Sequence, residues 1–100
     1  MIRHIVMFKL KEFSDPSEKR QAAETLRSEL LSMRTKIPVI REFEIGINFN
    51  PSSFAFDVVI NSTFENHEDL EIYQLHPAHK AFIAFNKNFS AEKVIVDYII

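Results

Sequence analysis

The chain has 100 residues, 12 basic and 14 acidic, with a formal net charge of -2, one Gly, no Cys and no Trp. That length bounds it to one domain with one modest core, and ten Phe argue for a packed interior rather than disorder. The charge balance leaves no footprint for a phosphate backbone, so nucleic acid is not an expected partner, and the lack of Cys excludes disulfides, thiolate metal sites and Cys nucleophiles.

The opening "MIRHIVMFKLKEF" is too short and too charged for a signal peptide. No apolar run approaches the roughly 18 residues of a membrane span. A soluble, cytoplasmic protein without a membrane partner is expected. Within that opening, "IRHIVMFKL" alternates: Ile2, His4, Val6, Phe8 and Leu10 face one way, and Arg3, Ile5, Met7 and Lys9 the other. This predicts a strand.

Next, "SDPSEKRQAAETLRSELLSMRTKI" opens with Asp15 as N-cap, Pro16 at the first helical position and Glu18 completing an approximate capping box. Ala23, Leu26, Leu30, Met33 and Ile37 then form one apolar stripe of an amphipathic helix. Pro38 closes it. A strand is predicted over 39–49, with Val39, Phe43, Ile45, Ile47 and Phe49 at alternate positions apart from Arg41. It ends at the turn "NPSS", and "FAFDVVINSTF" (54–64) returns.

Asn66 is the cap of a short helix, "HEDLEIYQL" (67–75). The acids of "ENHEDLE" favour that helix N-terminus, with His67 solvated among them. Lys9, Lys11, Lys19 and Arg20 read as solubilising charge. His76, ahead of Pro77, is pushed away from αR, so the chain kinks there. Pro77 opens a new helical stretch in which Ala78, Phe82, Phe85 and Phe89 recur at steps of 4, 3 and 4. "EKVIVDYII" (92–100) is the last strand.

The order β-α-β-β-α-β, with its second helix in two pieces, is α+β: a ferredoxin-like split βαβ domain spanning 1–100, with an antiparallel four-stranded sheet. Both helices cover one sheet face. Ile5 and Met7, and Ile95 and Ile99 alternating with Val94, Val96 and Tyr98, leave apolar residues for the uncovered face. That face is expected to bury itself against a second copy in a two-fold homodimer.

His76-Pro77-Ala78-His79 has a spacing that can bring two imidazoles to one metal, but zinc needs three or four ligands and no third donor follows. Capping of the new helix by His76 is the simpler reading. His79 sits one position from the apolar stripe, at the edge of the core, where burial favours the neutral, proton-accepting imidazole. His4 shares a face with Val6 and Phe8, so two histidines and Tyr73 converge under the helices. Either they satisfy one another and the backbone, or they line a pocket that holds a ligand.

"HIVMFKLK" (4–11), "YQLHPAHKAF" (73–82) and the C-terminal "VIVDYII" together resemble the Dabb family, the stress-responsive dimeric α/β-barrel domains. The resemblance covers nearly the whole chain and implies a ferredoxin-like protomer whose sheet closes a barrel with a second sheet. It implies no single activity. By resemblance to the family's plant polyketide cyclase that forms olivetolic acid, Tyr73 matches a pocket tyrosine, His79 the catalytic histidine, His4 the strand-1 histidine and His76 the intervening one. Leu26 and Leu30 stand where that cyclase has aromatics on its first helix, and Val58 where it has a third-strand histidine. A differently shaped, less polar pocket is implied.

The function expected is binding or transformation of a small hydrophobic carbonyl or phenolic compound. Its pocket would be lined by His4, Val6, Phe8, Leu26, Leu30 and Phe82. His79 is the expected general base, with Tyr73 donating to a developing enolate oxygen, and no metal or cofactor is called for. The competing readings are a non-enzymatic stress or assembly protein and a cofactor-free monooxygenase-like barrel.

Overall fold

Alternation in the first segment becomes β1 (Ile2–Leu10), whose even residues, His4 among them, are buried while Met7 on the other side is exposed. The computed structural model describes all residues 1–100. After β1 the chain runs through α1 (Pro16–Arg34), β2 (Glu42–Ile47), β3 (Val58–Phe64), α2 (His67–Leu75), α3 (Pro77–Asn86) and β4 (Ser90–Ile99). The strands form one antiparallel sheet in the order β2-β3-β1-β4, so two split β-α-β crossovers interleave as in a ferredoxin-like fold.

The start of α1 follows from its first residues. Asp15 Oδ1 accepts the Ser17 N–H at 3.0 Å and Pro16 occupies the first turn. Glu18 adds its charge to that turn, and its side chain makes no reciprocal bond, so the cap is Asp15 alone. Ala22, Ala23, Leu26, Leu30 and Met33 are buried against the sheet. Leu26 and Leu30 have no exposed surface, which on transfer arguments contributes about 1.5–3 kcal/mol each. The helix stops before Pro38, at Thr35. Ile37, expected on the helical stripe, lies in the turn that follows and is nonetheless fully buried.

Strands β2 and β3 are shorter than their hydrophobic pattern predicts. Pairing between β2 and β3 runs only from Glu42↔Thr63 to Ile47↔Val58. Beyond it the polar side chains bond their own backbone. Asn48 Oδ1 accepts Asn50 N–H at 2.9 Å, Asn50 Oδ1 accepts Ser52 N–H at 2.9 Å, and Ser52 Oγ accepts Phe54 N–H at 3.1 Å. Such local bonds compete with the ladder. Phe49 and Phe54, expected inside strands, therefore stand 97% and 94% exposed on the connection. Asp57 ends the excursion: its Oδ2 accepts the Leu10 N–H at 2.7 Å and its Oδ1 pairs with Lys19 Nζ at 3.1 Å, tying β1 to α1.

β4 is the edge strand beside β1. Cross-strand register puts Lys93, Ile95, Asp97 and Ile99 opposite Phe8, Val6, His4 and Ile2, on the helix side of the sheet. Val94, Val96 and Tyr98 lie opposite Met7, Ile5 and Arg3, on the bare side. The register slips between Lys9 and Leu10, where Leu10 meets Ser90. No helix covers β4, and every residue from Ala91 to Ile100 is exposed. No helix is long and apolar enough to cross a membrane.

Candidate functional site

The helix break determines which side chains meet. Asn66 Oδ1 accepts the Asp69 N–H at 2.8 Å and starts α2, and α2 ends at His76, which is extended (φ -64°, ψ 138°) as a residue before proline is expected to be. The same residue starts α3: His76 Nδ1 accepts the Ala78 N–H at 3.0 Å. In an unbroken helix, positions 73 and 79 would lie roughly 120° apart around the axis. The turn at His76-Pro77 redirects the chain and brings the Tyr73 and His79 rings to a centroid separation of 4.6 Å.

His4 reaches the same place from β1, with its ring edge-on to Tyr73 at 5.9 Å and to Phe64 at 6.2 Å. Tyr73 also packs on Phe64 at 5.0 Å. The three polar rings touch but do not bond one another. His4 Nδ1–H donates to Asp97 Oδ1 from the neighbouring β4 position, which fixes the ring's orientation. His79 Nδ1–H donates to the Gln74 carbonyl at 3.1 Å, one of the α2 C-terminal carbonyls left without a helical partner. In the neutral ring its Nε2 is then the free acceptor.

Tyr73 is 1% exposed, yet its hydroxyl takes part in no hydrogen bond of the chain. No fully enclosed side-chain polar atom lacks a partner, so that hydroxyl touches open space, and the space beside it is a cavity of about 430 Å³. Ligand pockets typically measure about 300–1,000 Å³. Its wall includes His4, Val6, Phe8, Tyr73, His79 and Phe82, and it lies between α2–α3 and the uncovered strand β4. Leu26 and Leu30, expected in this wall, are enclosed between α1 and the sheet and do not reach it. The wall is continued instead by Ile60 of β3, Ile83 and Asn86 of α3, and Glu92, Lys93 and Ile95 of β4. Asp97, unanticipated as a partner of His4, carried one signal in the sequence: it is the lone charge inside "VIVDYII".

The electrostatics sort the two central groups into an acceptor and a donor. Burial lowers the His79 pKa from its ordinary 6.5, opposed by the Gln74 carbonyl and reinforced by His4 and the Lys93 ammonium, so the imidazole is neutral at pH 7. Burial pushes the Tyr73 phenol upward, so it stays protonated. A neutral imidazole and a protonated phenol side by side on an apolar wall can take a proton from carbon and steady the oxygen that becomes negative.

Comparison with known proteins places the chain. Residues 2–100 match the family described as Dabb, Stress responsive A/B Barrel Domain. An uncharacterized protein of Streptomyces coelicolor is 36% identical over 100 residues, covering 98% of each chain. Among solved structures, a dimeric ferredoxin-like protein of unknown function from Bacteroides fragilis is 30% identical with a TM-score of 0.86, over 99% of this chain and 95% of that one. A hydroxynitrile lyase from Passiflora edulis shares the fold at 19% identity and a TM-score of 0.81, over 99% of this chain and 92% of that one. The chain belongs to the Dabb family of stress responsive A/B barrel domains.

Proposed function

We propose that the protein works as a homodimer, joined through the bare face of its sheet, whose cavity binds and deprotonates a small hydrophobic carbonyl compound. One observation carries the chemistry. Tyr73 and His79 line the same cavity with their rings 4.6 Å apart, and no hydrogen bond of the chain uses the Tyr73 hydroxyl or the His79 Nε2. Polar groups in an apolar wall are costly without partners, and here the missing partner is a ligand or the water it displaces.

In this reading His79 Nε2 takes the proton from the carbon next to the substrate carbonyl, and the electron pair moves onto the carbonyl oxygen. Tyr73 donates its hydroxyl hydrogen bond to that oxygen. The imidazolium, steadied through Nδ1–H on Gln74, then returns a proton to carbon or to solvent. Asp97 orients His4 in the same wall. Dimerisation rests on Met7, Val94, Val96 and Tyr98, which expose 38–56% of their surface on one continuous face, and on the dimeric description of the Bacteroides fragilis relative.

The test is deuterium exchange. Benzoylacetone in D2O loses its acidic C–H signal in the NMR spectrum, and the protein is expected to speed this about 10²–10⁴-fold over a His79→Ala variant of unchanged melting temperature. Equal rates in the two proteins would remove His79 as the base.

A further inference from the structure

The cavity wall holds further polar side chains that take no part in the proposed proton transfer. Asn86, the last residue of α3, is 8% exposed and lines the cavity. Its Oδ1 accepts from Ser90 Oγ–H at 2.6 Å, a separation typical of O–H···O rather than N–H···O bonds, which fixes the amide orientation. No hydrogen bond of the chain uses Asn86 Nδ2. Because no enclosed polar side-chain atom is left unpartnered, that nitrogen too reaches open space, and its two N–H groups are donors without acceptors.

Lys93 lies in the same wall. Its register opposite Phe8 places it on the helix side of β4. It takes part in none of the three ion pairs, which join His4 to Asp97, Lys19 to Asp57 and Arg41 to Glu65. Glu92, next to it, stands opposite Lys9 and also lines the cavity, but its carboxylate forms no ion pair with Lys93. Between them Asn86 and Lys93 present only donors and a positive charge. The intervening wall of Val6, Phe8, Phe82 and Ile95 is apolar.

We propose that Asn86 and Lys93 form a carboxylate-binding end of this cavity, so that its ligand is a carbonyl compound with an apolar body and a carboxylate tail. This rests on the pocket reading above and names its substrate class. Asn86 supplies a fixed, neutral pair of donors held by Ser90, and Lys93 supplies a charge that no ion pair of the chain engages. Hydrogen bonds from a charged donor to a carboxylate are the strong class. The ligand's ketone then faces the Tyr73 and His79 end.

The experiment compares 3-benzoylpropanoate with its methyl ester, which keeps the aryl ketone and removes the charge. Dissociation constants are measured by NMR titration on the wild-type dimer, Lys93→Met and Asn86→Asp. Asn86→Asp keeps the acceptor for Ser90 while replacing the amide donors with a negative charge, and melting curves report folding. The wild type is expected to bind the acid about 10-fold or more tighter than the ester. Lys93→Met should lose most of that preference, and Asn86→Asp should reverse it. Equal binding of acid and ester by the wild type, or a preference untouched in both variants, overturns the carboxylate end while benzoylacetone exchange by His79 still stands. Binding of neither compound, with no exchange, overturns both.

Discussion

Replacing Tyr73 by Phe removes one oxygen and separates a structural from a functional role for this residue. The ring is 1% exposed and packs against His4, Phe64 and His79, so Phe retains the whole apolar contact. The hydroxyl bonds nothing in the chain, so its loss orphans no partner. Had it satisfied His4 or the backbone, deletion would cost the bond and leave a buried group unpaired, about 1–3 kcal/mol. As built, the variant sheds the partial desolvation of a hydroxyl, and its stability should be unchanged or rise by up to about 1 kcal/mol. For a domain of this size that is a Tm shift of zero to about 8 °C upward. Proton exchange of benzoylacetone should meanwhile fall about 10²–10³-fold, the scale of one lost oxyanion donor. Circular dichroism melting and NMR exchange on the same sample check both halves. A Tm lowered by 4 °C or more would show that the hydroxyl is a structural tie, and the reasoning would fail.

His79 carries a pH signature. Its folded pKa is below the ordinary 6.5, so between the two values the unfolded chain binds more protons than the folded one. Stability should therefore decline as pH falls below about 6.5, and urea midpoints of His79→Gln should lose that part of the slope. Exchange activity should hold through neutral pH and drop only under more acidic conditions, since the base form persists to a lower pH than a free imidazole. His76→Ala removes the acceptor for the Ala78 N–H and should cost about 0.5–2 kcal/mol, as other cap deletions do, without altering proton exchange. Elemental analysis showing stoichiometric zinc that His76→Ala abolishes would contradict the capping role. Val96→Glu puts a charge on the bare sheet face at a position 56% exposed in the protomer, so it should leave the protomer folded and shift light scattering from dimer to monomer. A dimer that persists would place the contact elsewhere.

Much of the fold was legible because its causes are local. The period-2 alternation of β1, the Asp15-Pro16 start of α1, the Asn66 cap and the His76-Pro77 break each act within a few residues, and the structure places each where the side-chain chemistry calls for it. The ends of β2 and β3 were not. Hydrophobic alternation through Phe49 and Phe54 argued for longer strands, but consecutive side-chain bonds from Asn48, Asn50 and Ser52 to nearby N–H groups ended the ladder first. Glu18 illustrates the same limit: its spacing allowed a reciprocal cap, and its rotamer did not make one.

The site divides in the same way. Tyr73, His79 and His4 could be singled out because polar rings at core-facing positions demand partners wherever they are. Which walls enclose them depended on contacts between elements distant in the chain. Leu26 and Leu30 share the stripe of α1 with the rest of the core, yet the open space lies beside α3 and β4. Whether Lys93, Ile95 and Asp97 or their alternating neighbours stand on the helix side of the sheet was decided by pairing against β1, through a register that slips at Lys9 and Leu10. Residue type and spacing thus determined the elements, the helix break and the titratable rings. Only the packed sheet decided the cavity, the Asp97 partner of His4 and the donors at Asn86 and Lys93, because strand parity and enclosure arise from residues that meet only when the chain is folded.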